Sequence, residues 1–586
     1  MASITKVIPY QTKIDSTRTM KTFYKNRPKV MQLLEIDCFQ PLEENPHQIN
    51  KIKQRIIKMA KHSKTIKGLR LHKCLISSQT KIDNQLKYLM KKFQSIESIS
   101  LSINGPWDDL LLNYARWIFY PKRLSKLYFI LRKFVESPLA PKINRYIQKF
   151  LKVMQKKKLQ VIKILLQSRY EPSLEKFLLF KNYPKTIEKF SFSWHGCGSE
   201  TLKNDFDKNN TFTLQNFGNL QTFNIAAPLS KEKVSQILHS NSSPDHLGHL
   251  EFGFNLQENH APPLIYQYLK QFPNLTTISL KTDYPPTQWG LFTNSLTLMP
   301  LKNLKLDTLI HEVEDLKYLG DMIQNSVGLS GLILKLKKDQ AIDFSLNNCF
   351  EDFFENISKL ENLNKLKIYF TLLSQGRGVG GAMKKASTNN NGFVSNLSSC
   401  LNKLESIREL SIRFRQGNFV EELPELIQSL KPKSGQMKKL RIGFGGEKIS
   451  PQNMMDFFLL LSEMRNLESL VLNEVYLEKS SLFETYTSLL LEIPHLRKIQ
   501  MNKISGFLNL LQLKNFVSTL LQKKGFRKIY CTKNLQASKI TGTLGESDKI
   551  DLATILGKNP QLEQLYVPFD IFTSNIDDLS ACKWNL

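Results

Sequence analysis

A triplet of apolar positions recurs along the whole chain, in the order apolar, two residues, apolar, one residue, apolar. It runs from Met31/Leu34/Ile36 through Ile66/Leu69/Leu71, Leu124/Leu127/Phe129, Leu220/Phe223/Ile225, Leu329/Leu332/Leu334 and Leu467/Leu470/Leu472 to Leu562/Leu565/Val567. At 41% apolar residues, chance matches arise at about 7% of starts, so the triplet alone says little. Its spacing says more: successive triplets lie 26 to 36 residues apart, with one gap of 44. Between them lie segments of helical periodicity, such as 453–461, 482–491 and 516–521. A helix before each short strand makes a βα repeat, whose crossover lets neighbouring strands run parallel. Alternate strand residues point to opposite faces, so the triplets face the helices and the residues between them face away. One such unit cannot bury its own apolar face, whereas a stack makes a continuous core.

Phrases such as Asn466-Leu467-Glu468-Ser469-Leu470-Val471-Leu472 and Asn274-Leu275-Thr276-Thr277-Ile278-Ser279-Leu280 resemble leucine-rich repeats. The helix-containing spacing of ~28–30 residues is similar to the ribonuclease-inhibitor-like subclass. The resemblance covers roughly residues 30–570 and implies an α/β solenoid of about 16–18 repeats, a horseshoe or arc with parallel strands on the concave face, helices on the convex face and a protein-binding role. The family's Asn or Cys, three residues past the last strand leucine, is clear only at Cys74; Val475 and Lys337 stand there in other repeats. Residues 1–29 read as a polar N-terminal extension or cap and 571–586 as a C-terminal cap or tail. The long gap reads as a flexible insertion at 371–396.

The outward strand positions follow from the triplets. They carry Arg70, Lys126, Lys163, Lys189, Lys281, Lys305, Lys335, Lys365, Lys367, Arg413, Lys439, Arg441, Lys498 and Lys528. Against these 14 stand only five acids, Glu35, Asp37, Glu251, Asp307 and Glu409. Tyr128, Tyr369, Tyr530 and Tyr566 share the face and add amphipathic contact area. A concave surface lined by one sign of charge focuses its field, which points to an acidic partner.

Charge along the chain adds a second basic region. The formal net charge is +30 in 586 residues. Residues 1–200 hold 39 Lys/Arg against 14 Asp/Glu, while 201–586 hold 43 against 38. A helix expected over about 47–61 turns Ile49, Ile52, Ile56 and Ala60 inward and Lys51, Arg55, Lys58 and Lys61 outward; Lys156-Lys157-Lys158 extends this cationic surface. Phosphate attraction follows from such charge, yet no recognition helix or aromatic-stacking motif accompanies it. No signal-peptide core and no apolar run of membrane-spanning length occurs. The seven scattered cysteines read as reduced thiols. Together these place the chain in the cytoplasm, with nuclear or cytoskeletal association open.

Candidate chemistry is sparse. Gly376-Arg377-Gly378-Val379-Gly380-Gly381 with Lys384 superficially resembles a phosphate loop, but Ser387-Thr388-Asn389-Asn390-Asn391-Gly392 follows where a helix should begin. His195-Gly196-Cys197 offers two metal ligands without a second pair at zinc-site spacing. No catalytic elbow or metalloprotease motif is present. The sequence is therefore read as a non-enzymatic interaction scaffold without metal or cofactor, binding an acidic protein or assembly. The other readings are a nucleic-acid or ribonucleoprotein component acting through the basic first third, and an enzyme with its site in the insertion.

Overall fold

The computed structural model describes residues 33–37, 68–72, 91, 95–104, 118–133, 149–166, 183–194, 217–226, 246–253, 269, 272–282, 296, 299–338, 349–372, 393–415, 422–444, 449–474, 476–477, 482–506, 510–523, 525–533 and 564–566. They fall into two compact units, one between 33 and 300 and the other between 301 and 566.

The first unit contains β1 (Leu33–Asp37), β2 (Gly68–His72), β3 (Ser98–Asn104), β4 (Lys126–Lys133), β5 (Val161–Leu166), β6 (Lys189–Trp194), β7 (Thr222–Ala226), β8 (His249–Gly253) and β9 (Thr277–Lys281). These pair in chain order and every pair is parallel. The register aligns the second apolar residue of each triplet: Leu34, Leu69, Ile99, Leu127, Ile162, Phe190, Phe223, Leu250 and Ile278. Beneath them Phe129 meets Phe150, which lies on a helical stretch, with ring centroids 5.1 Å apart. Phe190 packs on Tyr183 at 5.1 Å and stacks on Phe223 at 6.0 Å.

The second unit alternates strands and helices: β10 (Asn303–Ile310), α1 (Val313–Gln324), β11 (Gly331–Lys338), α2 (Cys349–Ser358), β12 (Lys365–Leu372), α3 (Phe393–Lys403), β13 (Glu409–Arg415), α4 (Leu423–Leu430), β14 (Lys439–Gly443), α5 (Pro451–Glu463), β15 (Ser469–Asn473), β16 (Tyr476–Leu477), α6 (Phe483–Glu492), β17 (Lys498–Gly506), α7 (Leu510–Gln522), β18 (Lys528–Lys533) and β19 (Gln564–Tyr566). The strands again pair parallel and in order, except that β15 pairs with β17 and the short β16 joins only the far end of β17. Local chemistry starts the helices. Ser450 Oγ accepts from Asn453 N at 3.1 Å ahead of Pro451, which serves α5 as N-cap and first-turn proline. Asp315 Oδ2 accepts from His311 N and Glu312 N at 2.8 and 3.0 Å at the head of α1. Met454, Phe457, Phe458 and Leu461 of α5 are buried, the helical stripe that holds it to the sheet.

A backbone device repeats across both units and explains why variable repeat lengths are tolerated. The carbonyl just before a strand accepts two consecutive N–H groups from the next repeat: Lys302 O from Ser330 and Gly331, Asn364 O from Arg408 and Glu409, Glu468 O from Arg497 and Lys498. In the first unit Glu97 O accepts from Ser125 and Lys126 in the same way. Among the described residues most strands are entered through the same pair of bonds whatever the loop length, which satisfies backbone groups that the sheet edge would leave orphaned.

Each unit is thus an α/β leucine-rich-repeat-like solenoid, one parallel strand per repeat. In the second unit the helices cover one face of the sheet. Two details depart from the expected plan. Strands β10, β11 and β12 each run eight residues and add a third buried position, Thr308, Leu336 and Phe370. Lys337 is therefore a strand residue and not the occupant of a turn. Phe370 joins Phe350 and Phe393 at 6.0 and 5.5 Å in an aromatic cluster. The segment expected as an insertion gives residues 371–372 to β12 and 393–396 to α3; 373–392 lie outside the described residues.

Candidate functional site

On the helix-free face of the second unit, strand register sorts the outward residues into rows. The first row reads Lys365, Glu409, Lys439, Ser469, Lys498, Lys528 across β12 to β18. The next row, two residues on, reads Lys367, Ser411, Arg441, Val471, Gln500, Tyr530. The third reads Tyr369, Arg413, Gly443, Asn473, Asn502.

The cations do not all have the same surroundings. Arg413 Nη2 lies 2.9 Å from Glu474 Oε1, and Lys439 is ion-paired with Glu409. Lys335 stands 3.6 Å from Asp307 and Lys337 3.2 Å from it. These pairs offset the charges of Arg413, Lys439, Lys335 and Lys337. By contrast, among the described residues no carboxylate lies within ion-pair distance of Lys365, Lys367, Arg441 or Lys498. Lys498 shows the consequence. Its ammonium is held below the ordinary lysine range, first by partial burial and then by the charges of Lys528, Arg441, Lys367 and Lys439. Lys367 is on β12, four strand positions from β17, ~19 Å in a flat sheet. Its charge still acts on Lys498 across that span. Lys367, Arg441, Lys498 and Lys528 thus form one convergent cationic field with the Lys439–Glu409 pair at its side.

Around this field lie donors without acceptors. The Nε atoms of Arg413 and Arg441 and Nδ2 of Asn473 are covered and make no hydrogen bond. Asn473 Oδ1 is engaged, accepting from Asn502 Nδ2 at 2.7 Å, and Gln500 Nε2 in turn donates to Asn502 Oδ1 at 3.0 Å. Gly443 lets Arg413 cross its strand: a Cβ there would sit 2.7 Å from Arg413 Cγ. Glu474, Arg413's partner, has φ of +57°, a left-handed conformation uncommon outside glycine.

The remaining expected residues are placed as follows. Lys126, Lys163 and Lys189 are exposed in the first unit, one to a strand. Lys281 and Lys305 are partly buried, as are Tyr369 and Tyr530; Ser411 Oγ donates to Tyr369 Oη at 3.2 Å. Arg70 is placed on β2 by its backbone, and its side chain lies outside the described residues, as do the 47–61 helix, the Gly-rich segment and His195-Gly196-Cys197. Within Lys156-Lys157-Lys158 the middle residue is not a free cation. Lys157 Nζ donates to Phe119 O and to Pro121 O, the latter at 3.0 Å, and burial pushes its pKa down. Lys523 does the same to Leu491 O, at 2.9 Å, and to Ile493 O. Both lysines tie a loop to the helix end of the preceding repeat, where carbonyls lack helical partners.

Sequence reasoning missed Glu474 and Asn473. The apolar triplet places Asn473 outward but does not show what it bonds, and a left-handed Glu474 leaves no composition signal. Among the described residues no group of three His, Cys, Asp or Glu is placed to hold a metal, and no helix is long and apolar enough to cross a membrane.

No family model and no curated protein matches the chain. Among solved structures it is similar to the TLR13–ssRNA13 complex, at 14% identity over 86% of this chain and 65% of that one, TM-score 0.30. It is also similar to the yeast Rad7–Elc1 complex, at 13% identity over 83% and 82%, TM-score 0.30. The mouse RP105/MD-1 complex aligns at 13% identity over 92% and 79%, TM-score 0.30. The chain thus spans just under two thirds of the first of these. The solenoid assignment rests on the strand register and repeat geometry of this chain.

Proposed function

We propose that this protein is a non-enzymatic interaction scaffold of the ribonuclease-inhibitor-like kind, which captures an acidic partner protein on the open strand face of its second unit. The observation that carries the reading is the convergence of Lys367, Arg441, Lys498 and Lys528 on one place, with Lys365 on the same face and no carboxylate among the described residues balancing Lys365, Lys367, Arg441 or Lys498. Like charges held together are unfavourable in the free protein, and an incoming anion relieves that repulsion. The rigid stack supplies many weak contacts over a large surface, and the field steers encounter. The strand-entry bonds seen along the described residues keep the surface preorganised. The scattered cysteines support a cytoplasmic setting.

The test is fluorescence anisotropy with a labelled polyglutamate peptide at about 0.15 M salt. Reversing Lys365, Lys367, Lys439 and Arg441 together to Glu is expected to abolish binding, while circular dichroism stays unchanged. Undiminished binding by that variant contradicts the reading. Nucleic-acid binding is the second reading, favoured by exposed Lys126, Lys163 and Lys189 on the more basic part of the chain. It predicts affinity that falls linearly in log salt and ignores base sequence.

A further inference from the structure

Strand β15 is the low point of the cationic field. Its two outward residues in the first and second rows are short, Ser469 and Val471, and Val471 is 8% exposed. On one side β14 raises Lys439 and Arg441, on the other β17 raises Lys498 and Gln500, with Lys528 and Tyr530 behind on β18. The result is a depression with a hydroxyl in its floor and cations in both walls. Among the described residues Arg441 Nε and Asn473 Nδ2 are covered and make no hydrogen bond, so what Arg441 offers an anion is its guanidinium Nη groups. The backbones of the two wall strands stand two strand spacings apart, ~9.6 Å, so side chains from both can reach one anion at charge-assisted contacts of ~2.8 Å.

We propose that this depression, floored by Ser469 and walled by Arg441, Lys498 and Lys528 with Lys367 alongside, is a phosphate-binding site that takes a phosphorylated side chain of a protein partner. The inference rests on the scaffold reading above and narrows its partner. A carboxylate presents two oxygens in one plane and answers one wall at a time. A phosphate presents three acceptor oxygens and a charge near −2, so it faces both walls and the floor together. Arg441 supplies the planar fork suited to phosphate, and the lysines supply point charges. The compactness of the cluster also favours a single concentrated anion over a nucleic-acid track, which pairs a lengthwise cationic groove with aromatic platforms for successive bases. Here Tyr369 is hydrogen-bonded to Ser411 at its hydroxyl.

The experiment titrates the full chain with four labelled probes at matched ionic strength: a phosphoserine heptapeptide with Gly and Ala flanks, its unphosphorylated form, heptaglutamate, and a uridine heptanucleotide. The phosphopeptide is expected to bind at least ~10-fold more tightly than either other peptide. Ser469→Asp, which places a carboxylate in the floor and removes no cation, is expected to abolish that preference. Lys498→Gln, in case the first variant misfolds, is expected to reduce it several-fold; Lys163→Glu in the first unit is expected to leave it intact. Heptaglutamate binding as well as the phosphopeptide overturns the phosphate site and leaves the acidic-partner reading standing. Failure of both peptides removes both readings. Tighter binding of the heptanucleotide, surviving Ser469→Asp, overturns the inference in favour of nucleic acid.

Discussion

The two units bury their cores in the same way and treat their outward strand positions differently. In the first unit the rows over β7 to β9 read Thr222, His249, Thr277 and Asn224, Glu251, Ser279. Their polarity is consumed internally: Asn224 donates to Glu251, and Ser279 Oγ donates to Glu251 at 3.1 Å. Its outward lysines on β4 to β6 are exposed and lie in different rows, Lys126 and Lys189 in one and Lys163 in the next. In the second unit Lys498 loses part of its preference for charge, first through partial burial and then through the neighbouring charges of Lys528, Arg441, Lys367 and Lys439. Yet residues 1–200 carry the larger cationic excess, and residues 201–586 are nearly balanced. A net charge counts residues; a field depends on which of them share a row.

That contrast can be broken or sharpened by substitution. The largest effects lie in the shared core. Phe190→Ala, against Tyr183, Phe217 and Phe223, and Phe393→Ala, against Phe350, Phe354 and Phe370, should each cost ~3–5 kcal/mol in urea unfolding. Very unequal costs would show that the two cores differ as well as the faces. Next comes Glu474→Gln. It leaves the Arg413 guanidinium without its carboxylate, which should cost ~1–3 kcal/mol while raising affinity for an acidic peptide; a loss of affinity would show that the pair orders the surface instead of masking it.

Two glycines occupy the same outward row in the two units. In Gly253→Ala the new methyl meets Ala226 Cβ at 2.8 Å and Cα at 3.2 Å, whereas in Gly443→Ala it meets Arg413 Cγ at 2.7 Å. Overpacking should cost ~1–3 kcal/mol in the first case and less in the second, where part of the obstacle is a side chain. A change in anion affinity should accompany Gly443→Ala alone. The smallest effect is electrostatic. The folded Lys498 pKa lies below its unfolded value, so between the two the unfolded chain binds more protons and wild type gains stability as pH rises towards the unfolded value. Compared with Lys498→Met, wild type should therefore gain in urea midpoint as pH rises towards the ordinary lysine pKa. A relative loss would mean that Lys498 is stabilised by its surroundings.

Much of this was legible in the sequence. The second apolar residue of each triplet named above lies on a strand, and the three helical segments at 453–461, 482–491 and 516–521 lie within or nearly within α5, α6 and α7. A period of two or of 3.6 is written in the residue types themselves. What alternation shows is which face a residue occupies, not what it meets there. It placed Arg413, Lys439 and Lys335 outward without showing that Glu474, Glu409 and Asp307 would pair with them. It could not tell that Lys157 bonds the carbonyls of Phe119 and Pro121, because such caps depend on where one repeat's loop meets the previous repeat's helix end.

The central claim is that anion capture follows convergence and not net charge. Two variants reverse three charges each and so change the net charge equally: Lys126, Lys163 and Lys189 to Glu in the first unit, and Lys367, Lys498 and Lys528 to Glu in the second. Binding of the labelled polyglutamate peptide should fall at least ~10-fold in the second variant and less than ~2-fold in the first. Equal losses would contradict the account and return the binding to overall charge.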